Sequence, residues 1–480
     1  MNKHSIYTFG LLVALAVCAQ SCKIPAIVQP EENHGVPGAY GSRPGATDTT
    51  NVATHSWRDY FTDPYLVDLI DTALQNNQEL QITLQDIEIA RNDVGFRKGQ
   101  LLPSVEAAVG VGVDKVGRYT SQGAGDASTD ITPGREVPDP LMDYTAGLYA
   151  HWEVDIWKKL HNAKKAAVSH YLSTVEGKNF VLTNLIAEVA DTYYELRGLD
   201  NALAIVRDNI ALQQHALEVI QVQKDAARAT ELAVQKFHAE VLNSQAREFE
   251  IRQQITETEN KLNFLLGRYP QEIPRDTSDF SVPVPSVIPA GIPSQLLANR
   301  PDIKKAELEL AAAKLDVKVA RAEFYPSFDI SAAIGFDAFD PSYLVKFPES
   351  MLYTLAGDLA GPLINRSGIK AEFKNANARQ IQAMVDYERT ILNAYLEVSN
   401  ELSNVGNLEK QYNLKAEEVA TLELSIDLSN DLFRSARADY LEVLMTQRDA
   451  LESKLELVET RTKQLSAIAQ VYRDLGGGWH

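Results

Sequence analysis

The residues from Lys314 to Asp337 are predicted to form a helix that runs directly into a strand, and this junction limits the fold more than any other stretch. Before Pro326, apolar residues recur at helical spacing. Pro326 ends that pattern because proline lacks a backbone N–H and pushes the preceding residue towards extended geometry. After it, alternate residues are apolar, namely Phe328, Ile330, Ala332, Ile334 and Phe336. The other face is small or polar, which is typical of a barrel wall with lipid outside and water inside.

The same junction occurs 223 residues earlier, where Pro103-Ser104 matches Pro326-Ser327. The strand that follows is again apolar on one face. Further along the chain the offset is 209 residues, as between Arg228-Ala229 and Arg437-Ala438. The shorter offset fits a longer surface loop in the first copy, predicted at Gly117–Pro140. The chain is therefore predicted to be a tandem duplication.

The pattern predicts four strands, at residues 104–113, 143–155, 327–337 and 351–363, of which the last alternates least regularly. Ile156 to about Val222 contains no proline and predicts one very long helix. Apolar residues at heptad spacing predict coiled-coil packing within it: Leu203, Val206, Ile210, Leu217 and Ile220. A second helix returns to Gly267. The second copy repeats the pair from about Ser367 to Phe433 and then to Gly476.

Five segments follow from these patterns: a signal peptide at 1–21, a lipidated tether at 22–52, a first repeat at 53–267, a proline-rich connector at 268–293 and a second repeat at 294–480. The apolar stretch Ile6–Ala19 ends just before Ser21-Cys22, which is the pattern of a lipoprotein cleavage site. Cys22 is the predicted acylated residue. Cys18 is the competing candidate, but Val17 is a poor small residue before a cleavage point.

Composition and motifs argue against several classes of function. The net charge of −19 argues against nucleic acid as a partner. Both cysteines precede residue 23, so the body has no cysteine-based metal site. The sequence contains no HExxH pair, no phosphate-binding glycine loop and no GxSxG. We therefore expect no catalytic, cofactor or metal site and no enzyme activity.

Several motifs occur in an order that resembles one known family. They are Asn299-Arg300-Pro301-Asp302-Ile303, Ala322-Glu323-Phe324-Tyr325-Pro326-Ser327, Gly361-Pro362-Leu363-Ile364, Ala438-Asp439-Tyr440-Leu441-Glu442-Val443-Leu444 and Leu475-Gly476-Gly477-Gly478-Trp479. The chain resembles the TolC-like outer membrane efflux proteins, in their lipoprotein branch. The resemblance implies a mixed, mainly α protomer in a homotrimer, with one twelve-stranded transmembrane barrel and a periplasmic tunnel of helices.

The same resemblance implies the function and the partners. The protein would be the exit duct of a tripartite efflux system in the outer membrane. It would passively export small molecules that reach it from an inner-membrane pump, of the RND type, through a periplasmic adaptor. The alternative from the residues is a periplasmic helical scaffold or adaptor lipoprotein without a pore. Sequence does not distinguish drug, metal-ion and protein export, because the pump usually selects the cargo.

The tip of the helical part is predicted at two turns, Ala227-Arg228 and Ala436-Arg437. The family usually has glycine there, so alanine suggests that helix-compatible backbone replaces a left-handed residue. Just before the second turn, Asp427 and Asp431 are four residues apart and share a helix face. Three inward copies of that face would form a cation-attracting gate, whereas the alternative is that both aspartates face outside water. In related lipoprotein channels the register of Asn430 resembles that of a gate carboxylate, so its amide weakens the charge ring.

Overall fold

The computed structural model describes residues 26–28, 35–40, 50–277, 288–362, 366–435 and 437–479. Within these ranges the chain forms two compact units. We call the first the sheet unit; it contains the described parts of 1–31, 89–171 and 308–384. The second, the helical unit, contains the described parts of 32–88, 172–307 and 385–480. Both copies of the duplicated sequence contribute to both units.

The described helices and strands follow the predicted order. The α-helices are α1 (Trp57–Tyr60), α2 (Pro64–Asn76), α3 (Gln78–Gly99), α4 (Ser121–Asp126), α5 (Lys159–Asp225), α6 (Glu231–Leu265), α7 (Leu296–Asn299), α8 (Pro301–Ala322), α9 (Pro341–Leu344), α10 (Ser367–Arg434) and α11 (Tyr440–Asp474). The strands are β1 (Ser104–Asp114), β2 (Asp130–Thr132), β3 (Arg135–Glu136), β4 (Leu141–Val154), β5 (Ser327–Ala338) and β6 (Met351–Ala360). None of the helices in the described ranges is both long enough and apolar enough to cross a lipid bilayer.

The long helix α5 is shifted by three residues at each end from the predicted range. Lys158 has a left-handed backbone with φ 59°, which keeps residues 156–158 out of the helix. The carboxylate of Asp155 then accepts hydrogen bonds from the backbone N–H groups of Leu160 and His161, at 3.0 and 2.8 Å. Those N–H groups lack partners within the helix, so Asp155 caps the first turn of α5.

Two closely similar contacts in the helical unit confirm the duplication. Gly267 follows α6 with φ 65°, and a side chain there would overlap the backbone carbonyl of Asn76. Gly476 follows α11 with φ 88°, and a Cβ atom there would lie 2.5 Å from the carbonyl oxygen of Asn299. These two pairs have the same sequence offsets, 223 and 209 residues, that the motifs show. Only glycine fits these positions, because each needs both a left-handed backbone and a close approach.

The segment predicted as a surface loop, Gly117–Pro140, has structure of its own. It contains the short helix α4 and the antiparallel pair β2–β3. Thr120 caps α4 by accepting a hydrogen bond from Gly123 at 3.1 Å. The fourth long strand also differs from its prediction, since β6 ends at Ala360, two residues before Pro362, which has no N–H for a ladder.

Candidate channel wall, tip turns and gate

The four long strands form one antiparallel sheet in the order β1–β4–β5–β6. Its register places Leu148 between Ala107 and Ile334, and Ile334 opposite Tyr353. Residues directly opposite each other in an antiparallel pair share a face. Most of the large apolar residues of the four strands therefore lie on one face, as the alternation predicts, including Met351, Tyr353, Leu355 and Leu359 of β6.

This apolar face is open in the single protomer. Val109 is 83% exposed and Leu355 is 78% exposed, and both lie on it. A soluble protein would normally bury or break up such a continuous surface. A face of this kind suits contact with lipid.

The opposite face carries every charged side chain of the four strands, and apart from His151 these are all acidic: Glu106, Asp114, Asp143, Glu153, Asp329, Asp337 and Asp358. His151 Nε2 lies 3.5 Å from Asp329 Oδ1. Lys159, at the start of α5, places its Nζ 2.6 Å from Glu153 Oε1. The face is therefore polar and strongly negative, as a water-filled, cation-attracting lumen would be.

The sheet has two open edges, because β1 pairs only with β4 and β6 pairs only with β5 among the described strands. An unpaired backbone group in lipid costs several kcal/mol. Four strands are also fewer than the roughly eight that a small closed barrel contains. The sheet is therefore a part of a larger closed structure.

Aromatic side chains fix the junctions where helix passes to strand in the sheet unit. Trp157 donates its indole N–H to the carbonyl of Pro326 at 2.7 Å and stacks on Tyr325 with ring centroids 4.5 Å apart. Trp152 donates to the carbonyl of Leu101 at 3.1 Å. The Trp157 contact ties the first copy to the proline junction of the second, and both indoles satisfy backbone carbonyls at the points where helix passes to strand.

The first tip turn has a left-handed residue at Ala227, although an alanine there suggests helix-compatible backbone. Ala227 has φ 58°. Its N–H donates to the carbonyl of Lys224 at 2.8 Å, and the N–H of Arg228 donates to that of Gln223 at 2.7 Å. This hydrogen-bond pattern is a Schellman motif. The expectation of helix-compatible backbone at Ala227 is therefore wrong: the cap bonds hold the alanine in the left-handed region at a cost of about 1 kcal/mol.

The second turn shows part of the same motif. The N–H of Arg437 donates to the carbonyl of Leu432 at 2.8 Å, which corresponds to the Arg228–Gln223 bond. Ala436 lies outside the described residues, as does Cys22. Across the first turn, Lys224 Nζ lies 2.8 Å from Glu231 Oε2, and Thr230 caps α6. Arg228 and Arg437 are both exposed.

The predicted gate residues lie in the last turns of α10. Asp427 and Asp431 are both exposed, and Asn430 is half-buried beside the buried Ser429. Asp431 Oδ1 lies 3.8 Å from the guanidinium of Arg434, one turn on. Arg434 therefore lies near this aspartate face. The direction of the face relative to a lumen requires the other copies, so the gate stays a prediction.

A buried ion cluster in the helical unit gives a role to the Asn299-Arg300-Pro301-Asp302 motif. Arg300 is 6% exposed and donates to both carboxylate oxygens of Asp302, at 3.0 and 2.6 Å. It also donates to Glu397 at 2.8 Å and to the carbonyl of Asp474 at 2.9 Å. Burial alone would lower the pKa of Arg300, but the paired carboxylates raise it above its ordinary value. Arg300 therefore joins α8, α10 and α11 as a permanent cation.

Sequence reasoning missed a second buried ion cluster, in the connector. Arg275 donates to Asp200 at 2.5 Å and to Glu259 at 2.6 Å, and all three side chains are largely buried. An arginine in a proline-rich segment gave no signal for it. The contact fixes the connector against α5 and α6.

The helical unit also has an open groove of about 740 Å³ between α5, α6 and α11. Its lining includes the apolar side chains of Leu199, Ile251 and Leu455. The lining also has more carboxylates than cations: Asp191, Glu195, Glu250, Glu452, Glu456 and Glu459 against Arg247 and Lys463. Two of the carboxylates are paired, Glu456 with Lys415 and Glu459 with Lys463, each at 2.6 Å. Among the described residues, no group of three histidine, cysteine or acidic side chains is arranged to hold a metal ion.

Comparison with known proteins agrees with this geometry. The family model described as "Outer membrane efflux protein" matches residues 69–268 and 292–477. The chain is 28% identical over 449 residues to the solvent efflux pump outer membrane protein SrpC of Pseudomonas putida, covering 92% of this chain and 91% of that one. It is 27% identical over 432 residues to the cation efflux system protein CusC of an Escherichia coli strain, covering 89% of each.

Solved structures show the same fold. The crystal structure of a membrane protein from Pseudomonas aeruginosa matches with a TM-score of 0.83 and 25% identity, over 95% of this chain and all of that one (100%). A crystal structure of CusC matches with a TM-score of 0.81 and 24% identity, over 94% and 99% of the two chains. The predicted fold class is confirmed, and the poreless scaffold finds no support among these proteins. The chain belongs to the outer membrane efflux protein family, a family of transport proteins, and is an outer membrane efflux channel.

Proposed function

We propose that three copies of this chain close one twelve-stranded barrel in the outer membrane and that their helices form a duct across the periplasm. The duct passively exports small molecules. An inner-membrane pump of the RND type delivers them through a periplasmic adaptor, which meets the tip turns at Ala227-Arg228 and Ala436-Arg437. Relatives are named for solvent and for cation efflux, so the cargo is left to the pump.

One observation carries this proposal: a four-stranded sheet with an apolar face, an acidic face and two open edges. Pairing β6 of one copy with β1 of the next satisfies both edges without any other protein. Three copies supply enough strands for a barrel with a water-filled interior. The apolar faces then lie outside and the acidic faces inside, as lipid and water require.

The test is conductance of the purified protein in planar bilayers, with its oligomeric state in detergent measured on the same sample. We expect a heat-modifiable trimer with a small, cation-preferring conductance, because the duct is shut without its pump. A variant with Asp329→Asn and Asp358→Asn should assemble equally well and lose part of the cation preference. A compact monomer without pore activity would contradict the proposal and restore the scaffold alternative.

We also propose that the mature chain begins at Cys22, is acylated there, and uses residues 22–52 as a tether to the first repeat. One acyl chain binds a membrane only marginally, so stable anchoring needs several chains or the barrel itself. Cys22→Ser should therefore abolish labelling by radioactive palmitate and slow sorting, while trimers still form. Label retained in Cys22→Ser but lost in Cys18→Ser would show that Cys18 is the acylated residue.

For the gate, we propose that Asp427 and Asp431 face the lumen where the helices converge, with Asn430 beside them. Three copies of each carboxylate would attract cations and repel one another. The double variant Asp427→Ala with Asp431→Ala should change the resting conductance and reduce cation preference. Asp208→Ala, which removes an exposed aspartate from α5, is the matched control. An unchanged closed state in the double variant would place the gate elsewhere.

A further inference from the structure

The seam where α5, α6 and α11 meet in the helical unit has two apolar clusters with a gap between them. The first contains Val206, Ile210, Ile251 and Leu451. The second contains Ile220, Val234 and Phe237, with Leu217 and Leu444 packed against them. In all three helices the contacts follow the heptad spacing of a coiled coil. Between the clusters, each helix therefore has core positions that belong to neither.

Each of the three helices has a buried polar residue at one of those positions, although on α6 the buried Val241 is another of them. Gln213 lies between Ile210 and Leu217 on α5, Ser244 lies between Phe237 and Ile251 on α6, and Gln447 lies between Leu444 and Leu451 on α11. All three are buried, with 1%, 2% and 7% of their surfaces exposed. We call these three residues the polar layer. Gln213 occupies the position that the apolar heptad of α5 skips.

The polar layer is not satisfied by protein groups. Among the described residues, neither the amide nitrogen nor the amide oxygen of Gln213 has a hydrogen-bond partner, and neither does the amide oxygen of Gln447. The Ser244 hydroxyl accepts a long hydrogen bond from Asn209 Nδ2, at 3.5 Å. Another copy of the chain cannot supply the partners of Gln213, because its side chain is already enclosed within one protomer. Buried amides of this kind are normally satisfied by ordered water.

We propose that Gln213, Ser244 and Gln447 form a hydrated layer at which α11 separates from α5 and α6 when the duct opens. The inference rests on the proposed duct function. Separating two apolar layers exposes hydrophobic surface, whereas separating a hydrated layer exchanges one set of water contacts for another. The layer lies 12 residues before the end of α5, or about 18 Å along the helix. Beyond it, only the second apolar cluster needs to loosen for the tip to widen.

A polar residue in a heptad core is also a known way to set register at the expense of stability. That role alone would leave opening unaffected, so the two roles can be separated. The variant is Gln213→Leu with Gln447→Leu, which replaces both amides of the polar layer with apolar side chains. The matched control is Gln214→Leu, the same change at the exposed neighbouring residue. Gln213→Ser, which loses the amide but keeps a hydrated hydroxyl, is the third variant.

The experiment measures the thermal midpoint of the purified trimer and the frequency of opening events in planar bilayers. The double leucine variant should melt about 2 to 4 °C higher than wild type. Its opening frequency should fall by about fivefold or more. Gln214→Leu and Gln213→Ser should open like wild type. Unchanged opening in the double variant, or a lower midpoint than wild type, would overturn the proposal. If wild type shows no conductance, the duct function itself fails, independently of these variants.

Discussion

Replacing Arg300 by methionine tests whether the buried ion cluster holds the helical unit together. Methionine has similar length and fills similar space, so the change removes charge and hydrogen bonds more than volume. It leaves the Asp302 carboxylate, 18% exposed, without its bidentate partner. The Glu397 carboxylate is 45% exposed and can turn to water. The carbonyl of Asp474 loses a donor as well.

Removing one partner of a buried ion pair typically costs about 3 to 5 kcal/mol of unfolding free energy. Because Glu397 is partly exposed, we expect a loss of about 3 kcal/mol for Arg300→Met. The entropy of unfolding scales with chain length, so for a chain of 480 residues the free energy of unfolding falls by about 1 kcal/mol for each degree of warming near the midpoint. The thermal midpoint should therefore fall by about 3 °C. The thermal midpoint of Arg300→Lys should lie between those of wild type and Arg300→Met, because lysine keeps the charge but lacks the planar guanidinium.

The assay is thermal unfolding of the purified trimer, followed by circular dichroism at one detergent concentration. Arg434→Met is the matched control, because Arg434 pairs with Asp431 at the exposed end of α10. Exposed pairs contribute little, so this variant should melt like wild type. Equal midpoints for Arg300→Met and Arg434→Met would refute the idea that the Asn299-Arg300-Pro301-Asp302 motif is a structural anchor.

Three further changes test other parts of the structure. His170 Nδ1 lies 2.9 Å from Glu309, and that hydrogen bond raises the pKa of His170. His170→Gln should therefore lower the free energy of unfolding mainly below the ordinary histidine pKa, and this loss should fade as pH rises through the raised pKa. An equal loss at pH 5.5 and pH 9 would contradict the prediction. Gly335→Ala should reduce heat-modifiable trimer on gels, because its Cβ would lie 2.5 Å from a strand carbonyl, whereas Gly112→Ala meets only ordinary contacts and should assemble normally. Ala227→Gly should slow amide exchange at the first tip turn, since glycine adopts φ 58° without strain; faster exchange would count against that reading of the turn.

Sequence predicted the strands and long helices because their signals are local. Alternation of period two gave the two faces of the sheet, and the register then brought matching faces together. The duplication was also visible, since two offsets recur in several motifs and again in the Asn76–Gly267 and Asn299–Gly476 contacts. The helix-to-strand junction, at Pro103 and again at Pro326, therefore predicts the same local fold in both copies.

Contacts between distant residues could not be predicted in the same way. Arg275 meets Asp200 across 75 positions, and nothing in the connector's composition marks that pair. Ala227 was misjudged because alanine favours helix, while the cap hydrogen bonds of the turn decide its backbone. The gate is different again: it depends on three copies, and a single chain defines only which residues share a helix face.

The two copies of the duplication have diverged where the proposed duct would work. With the 209-residue offset, Asp431 corresponds to Val222 and Asp427 to Glu218. Six helical hairpins in a trimer would thus give a ring of three, not six, at the level of Asp431. The polar layer diverges at one position, because Gln213 corresponds to Leu422, whereas Ser244 corresponds to Ser453. Separation at this layer would therefore involve α5 of the first copy, whereas the proposed gate carboxylates, Asp427 and Asp431, belong to α10 of the second. The two helical hairpins of one chain would thus have different roles when the duct opens.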